Sequence, residues 1–367
     1  MSGPLKGIKV IELGGIGPAP MTAMLLADLG ASVLRVTRGG PARRPVKFDT
    51  LARNRPAIAL DLKKPADVDL VLDLVEVADA TVEGFRPGVA ERLGIGPDQC
   101  FERNPKLVYG RMTGWGQTGP LAHVAGHDIN YIALTGALHA IGRKDQPPVP
   151  PLNLIGDFGG GALYLAMGIL SALLETGRSG KGQVVDAAMV DGAASLMTSY
   201  FGTLAAGAVS EERGTNPTDT GSYFYDVYEC ADGNYVAIGC IEPQFHKELF
   251  ERLEIDTADL PAQMDKAGWP QISGLLAATF RSRAREEWCD LLEGTETCFA
   301  PVLRPSEAAD HPHNAERQTF IEIDGVVQPA PAPRFSRTVP DRPSAPVSPA
   351  DTPEEIARIA QAWANGT

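Results

Sequence analysis

Residues 8–36 read IKVIELGGIGPAPMTAMLLADLGASVLRV. Ile8–Leu13 is an apolar run of strand length, closed by a turn rich in glycine and proline. Met21–Leu29 then places its apolar residues at helical spacing, and Ser32–Val36 is a second strand. A strand, a helix and a strand in close succession form a βαβ unit, whose crossover makes the two strands parallel. The same signal recurs downstream. Ala57–Leu62, Ala80–Phe85 and Leu107–Met112 read as strands, and Ala66–Ala78 sets Val68, Val71, Leu72 and Val75 on one helical face. The expected fold is therefore α/β, a parallel sheet with helices packed on it.

The pattern changes along the chain. Gly156 and Gly159–Gly161 form a cluster expected to precede an apolar helix over Ala162–Thr176, with a stop at Gly177–Gly182. Val184–Val190 reads as a further strand or the approach to a helix, and Ala188–Ala206 as helical. Glu211–Gly221 is polar and turn-rich, as a linker would be. Ser222–Cys230 and Tyr235–Cys240 are strands joined by a hairpin signal at Asp232-Gly233. These features predict a large domain over 1–214 and a smaller α+β domain over 215–310. Residues 326–350 are proline-rich and extended, and Pro353–Trp363 is a last helix capped by Thr352.

With 367 residues the chain has room for two domains at about 150 residues each. The net charge of −13 argues against nucleic acid as a partner. Residues 1–64 run the other way, with eleven Lys and Arg against four Asp and Glu, a net +7. Such a segment is either a solvated basic face or the seat of a small polyanionic ligand. The five cysteines, Cys100, Cys230, Cys240, Cys289 and Cys298, have no spacing typical of disulfides or zinc, and His311-Pro-His313 has no nearby thiols. No uninterrupted apolar run reaches the roughly 18 residues that span a membrane, so no membrane insertion and a cytoplasmic location are expected.

The first turn carries Gly15-Ile-Gly17, half of a dinucleotide fingerprint. Pro20 takes the third glycine position, however, and Arg38 ends the second strand where an NAD site has an acid. Basic residues instead gather beyond strand ends: Arg38, Arg43, Arg44, Arg53, Arg55, Lys63, Arg86 and Arg92. Guanidinium groups in the crevice outside the strand ends suit phosphate. Three segments look catalytic. They are Gly126-His127-Asp128-Ile129-Asn130-Tyr131, Gly156-Asp157-Phe158-Gly159 and Ile241-Glu242-Pro243. Each reads equally as a helix cap. His127 is of the residue type that can serve as a base, Asp157 is flanked by glycines that admit a substrate, and Glu242 is suited to orienting a histidine.

Taken together, these segments resemble the class III CoA transferase family, and within it the racemases of 2-methylacyl-CoA thioesters. The matching stretches include Glu83-Gly-Phe-Arg-Pro-Gly88, Met112-Thr-Gly-Trp-Gly-Gln-Thr-Gly-Pro120, Gly126–Tyr131, Pro151–Gly161, Gly180–Asp191 and Pro331–Ser336. The resemblance runs in order over nearly the whole chain. It implies a Rossmann-like large domain that binds CoA, a small α+β domain, a segment 311–367 that returns to the large domain, and an interlocked homodimer. It assigns CoA contacts to Arg38, Leu60, Asp61, Leu62, Lys63, Gly84, Phe85, Arg86, Arg92, Gly126, Asp128, Ile129, Asn130 and Tyr131. It makes His127 and Asp157 the catalytic pair, with Glu242 hydrogen-bonded to His127. No cofactor is implied, because CoA is part of the substrate.

Inverting a stereocentre by deprotonation needs a proton taken from one face and another returned to the opposite face. Two bases, His127 and Asp157, meet that need, each acting as the acid in the reverse direction. Backbone N–H groups near Asp128 are the expected donors to the enolate oxygen. The alternative on the same fold is a CoA transferase, in which Asp157 attacks the thioester and forms an anhydride.

Overall fold

The computed structural model describes residues 2–40 and 45–366, so Arg43 and Arg44 lie outside the described residues. The chain divides into two units. The first holds Met1–Thr135, Leu152–Leu196 and Ala315–Thr367, and the second holds Gly136–Pro151 and Met197–Asn314. The divisions thus fall at 135, 151, 196 and 314, where the sequence placed them near 214 and 310.

The first unit is built on six parallel strands: β1 (Lys9–Leu13), β2 (Ser32–Thr37), β3 (Ala57–Ala59), β4 (Ala80–Glu83), β5 (Val108–Thr113) and β6 (Gln183–Ala188). Their order is β3-β2-β1-β4-β5-β6, the order of a Rossmann fold. Side chains alternate between two cores. Ile11, Leu34, Ile58 and Tyr109 pack on one face with Val71 and Trp363, while Val10, Val33, Val82 and Val108 pack on the other with Leu26 and Ile169. Both faces are covered, which is why the strands read as continuous apolar runs. The chain reverses its strand order between β1 and β4, and the crevice beyond their carboxyl ends is where α/β folds bind ligands.

The C-terminal stretch joins this sheet. Ala350 bridges Ile58 beside β3, and the Trp363 indole of the last helix, Pro353–Asn365, donates to Ser32 O at 3.0 Å. Thr352 caps that helix by accepting from Glu355 N. The hairpin Phe320–Ile323/Val326–Pro329 is held by Arg53, buried against Asp28 and donating to Gln328 and Pro329.

The glycine cluster, expected to precede the helix, is itself helical: Leu154–Ala162 is a π-helix that runs straight into the helix Leu163–Ser179. The glycines serve close packing there, as Gly160 lies against the backbone of Gly192. Leu154–Ser179 is therefore one helix of 26 residues with a mean hydropathy of 1.5, long and apolar enough to cross a membrane by length and composition. Counting uninterrupted apolar runs missed it because Gly and Asp157 break the run without breaking the helix. Leu165, Ala166, Ile169 and Ala172 on this helix are buried.

In the second unit, β7 (Asp226–Glu229), β8 (Tyr235–Ile238) and β9 (Phe299–Val302) form an antiparallel sheet. The expected hairpin closes at Gly233, with φ +75 and Cys230 N donating to Asn234 O at 2.8 Å. Tyr223, Phe224, Trp269, Phe280 and Trp288 make its core.

Candidate active site

Two cavities open at the carboxyl ends of the first unit's strands. One, of about 490 Å³, is lined by Gly14 and Gly15 after β1, Thr37 and Arg38 at the end of β2, Leu60–Lys63 after β3, and Phe85 after β4. Arg35, Arg38 and Lys63 give this cavity three cations. The 60–63 turn is self-supporting. Leu60 N donates to Thr37 O at 2.8 Å, and the Asp61 carboxylate accepts from Lys63 N at 3.2 Å. Asp61 thus shapes the turn that presents Lys63.

The other cavity, of about 460 Å³, is lined by Ile16 and Gly17, by Gly84, Phe85 and Arg86, by Trp115, and by Gly126, His127, Tyr131, Asn153 and Asp157. Phe85 lines both cavities. The loop that carries it is fixed from below. Glu83, fully buried, accepts from Phe85 N at 2.6 Å and from Arg111 Nε at 2.9 Å, and Arg111 also pairs with Glu91 at 2.8 Å. Burial pushes the Glu83 carboxyl up to about 7, against the pull of Phe85 N–H and Arg111.

His127 sits at the N-cap of the helix Asp128–Leu134 in extended backbone, with φ −133 and ψ 174. The cap is tied by Asn130, whose side chain accepts from His127 N at 3.0 Å, and by Asn130 N donating to His127 O at 2.8 Å. Both cap and catalytic readings of this motif thus describe one residue: the backbone caps, and the imidazole is free to face the cavity. Tyr131 packs edge-on against Trp115, with centroids 4.8 Å apart.

Asp157 lies in the first turn of the π-helix. Its Oδ2 accepts from Asn153 Nδ2 at 3.1 Å. Gly17, at φ +68, passes so close that a Cβ there would stand 3.3 Å from Asp157 Oδ2. Burial raises the Asp157 pKa above the ordinary aspartate value; the Asn153 hydrogen bond opposes this, the Asp128 charge adds to it, and His127 lowers it. A half-buried carboxyl with raised basicity facing an imidazole across one cavity is equipped for proton transfer.

The remaining expected contacts are placed as follows. Asp128 is buried, at 5% exposure, and turns away from the cavities to accept from Asp157 N at 2.7 Å. Ile129 and Asn130 are exposed on the helix surface, and Arg92 is exposed on the short helix Val89–Arg92. None of these four lines either cavity. Glu242 belongs to the second unit, exposed at the N-cap of the helix Pro243–Arg252. The sequence reading gave no role to Trp115, Asn153, Glu83 or Arg111. Asn153 was detectable, since it precedes Asp157 by four residues, one helical turn.

The profile of CoA-transferase family III matches residues 5–355. The chain is 45% identical over 343 residues to the alpha-methylacyl-CoA racemase of Mus musculus, covering 93% of this chain and 88% of that one. It is 42% identical over 337 residues to the alpha-methylacyl-CoA racemase of Homo sapiens, covering 91% and 87%. The crystal structure of a CAIB/BAIF family protein from Brucella suis superposes with a TM-score of 0.83 at 25% identity, covering 99% of this chain and all of that one. Fold, cavities and sequence agree, and the chain belongs to CoA-transferase family III.

Proposed function

We propose that this protein is an α-methylacyl-CoA racemase, interconverting (2R)- and (2S)-2-methylacyl-CoA thioesters through an enolate. The observation that carries the reading is the pairing of His127 with a basicity-raised Asp157 on one cavity, beside a second cavity lined with cations. The two racemases to which the chain is 45% and 42% identical support it. Arg38 and Lys63 hold the phosphates of CoA, Phe85 marks the passage between the cavities, and the thioester lies between His127 and Asp157. One base removes the α-proton and the other returns a proton to the opposite face. Backbone N–H groups at the opening of the helix Asp128–Leu134 stabilise the enolate oxygen, an effect of about 3–4 kcal/mol per donor in comparable sites. Both proton carriers are side chains, so the proposed reaction calls for no metal or resident cofactor.

The proposal extends to a homodimer in which the other protomer contributes Glu242 to orient the imidazole. The exposed Leu163, Met167 and Leu174, on one face of the long helix, support an interface there. Five free cysteines suit a reducing compartment such as the cytoplasm.

The test is a single epimer of a 2-methylacyl-CoA incubated without any acceptor acid. Approach to a mixture of both epimers is the expected result. Retention of configuration there, with CoA passing to a carboxylate added in a second incubation, would establish the transferase instead.

A further inference from the structure

Resting on the racemase reading, we propose that Asp128 is the positioning residue that sets the separation of the two proton carriers, through the hydrogen bond from Asp157 N to its carboxylate. The bond spans 29 residues of sequence and is 2.7 Å long. Its acceptor is the immediate neighbour of His127, and its donor is the peptide N–H of Asp157 itself. The helix Asp128–Leu134 presents one and the π-helix presents the other.

The surroundings are built for this contact. Gly156 precedes the donor, and a Cβ there would fall 2.7 Å from Asp128 Oδ2 and 2.9 Å from its Cγ. Only glycine lets the carboxylate come this close. Asp128 lines neither cavity, so a direct substrate contact does not explain it. Its Oδ1 is buried with no hydrogen-bond partner among the described residues. A buried carboxylate with half its capacity unused is a costly way to hold a backbone N–H, which a neutral amide would also hold. The retained charge has a second effect, since Asp128 adds to the raised basicity of Asp157. The other groups facing Asp157 are His127, which opposes the rise, and the neutral Asn153; Arg86 and Asp128 both act on neighbouring Tyr131.

The experiment compares the wild type, Asp128→Asn and Asp128→Ala on each epimer of a 2-methylacyl-CoA. Wild-type racemisation is established first; its failure would sink the racemase reading and this proposal with it, whereas failure of this proposal alone leaves an active wild type. Asp128→Ala is expected to lower kcat by about 10²-fold, the scale of a misplaced catalytic group, while KM changes less than about threefold. Asp128→Asn keeps an acceptor for Asp157 N–H and is expected to recover about tenfold of that loss. Its pH–rate limb governed by Asp157 moves to lower pH, a change that a purely structural role would not produce. Full activity in Asp128→Ala, a loss confined to KM, or Asp128→Asn no better than Asp128→Ala would each overturn the proposal. Should Asp128→Ala fail to fold, the pH profile of Asp128→Asn decides: an unmoved limb refutes it.

Discussion

The cavity at Arg38 and Lys63 and the cavity at His127 and Asp157 open on the same ends of one sheet, yet they use charge in opposite ways. The first concentrates it, with three cations around about 490 Å³ in a chain whose net charge is −13. The second sets a single arginine, Arg86, beside groups that exchange protons. Burial raises the basicity of Asp157 above that of an ordinary aspartate, which suits a group that takes and returns a proton. Gripping a polyanion and inverting a carbon are separate physical tasks. Phe85, whose backbone N–H is anchored by Glu83, is the residue common to both.

The sharpest way to break this contrast is to exchange the residues that define it. His127→Ala and Asp157→Asn should each lower kcat by about 10²–10⁴-fold with little change in KM. Steady-state kinetics on both epimers checks this, and an equal loss in KM would erase the distinction between the cavities. Next in size, Lys63→Glu should raise KM for the CoA ester on the order of 10- to 100-fold and leave kcat alone, since charge-assisted hydrogen bonds are worth about 1.5–3 kcal/mol. The same variant should lose most of the salt dependence of KM seen in the wild type.

A smaller effect is expected from Gly156→Ala, whose Cβ would collide with Asp128. It should lower unfolding stability by about 1–3 kcal/mol in denaturant titrations, and kcat with it. The smallest concerns the shared anchor. Glu83 holds its proton up to about 7 in the folded chain, against an ordinary value of 4.5. Its contribution to stability is therefore complete below pH 4.5 and lost as pH rises through about 7. The stability of the wild type relative to Glu83→Gln should accordingly fall between about pH 4.5 and about pH 7, as denaturant midpoints would report.

The two cavities also differ in how far the sequence revealed them. The cationic one follows from strand periodicity: once β1–β4 are found, Arg38, Leu60–Lys63 and Phe85 are placed at their ends by topology alone. The reactive one depends on irregular backbone. The glycine cluster at 156–161 read as a segment preceding a helix, whereas it forms a π-helix packed closely against backbone such as that of Gly192, a contact to which periodicity is blind. His127 and Asp157 were identified as residue types and by resemblance, but the raised basicity of Asp157 depends on burial. Asp128 was read as a ligand contact from the resemblance; its side chain accepts from Asp157 N. The domain division shifted for a similar reason. Apolar continuity across Ala188–Ala206 hid the break at Leu196, where one helix ends before the next begins at Thr198.

The central claim is that two opposed side chains pass protons to and from one carbon. Its most direct test is the wild-type protein with a single epimer of a 2-methylacyl-CoA in deuterated water, followed at C2 by NMR. The account predicts that deuterium enters C2 as the configuration inverts, with no acceptor acid present. A C2 proton that never exchanges, while the thioester moves to an added carboxylate, would contradict it.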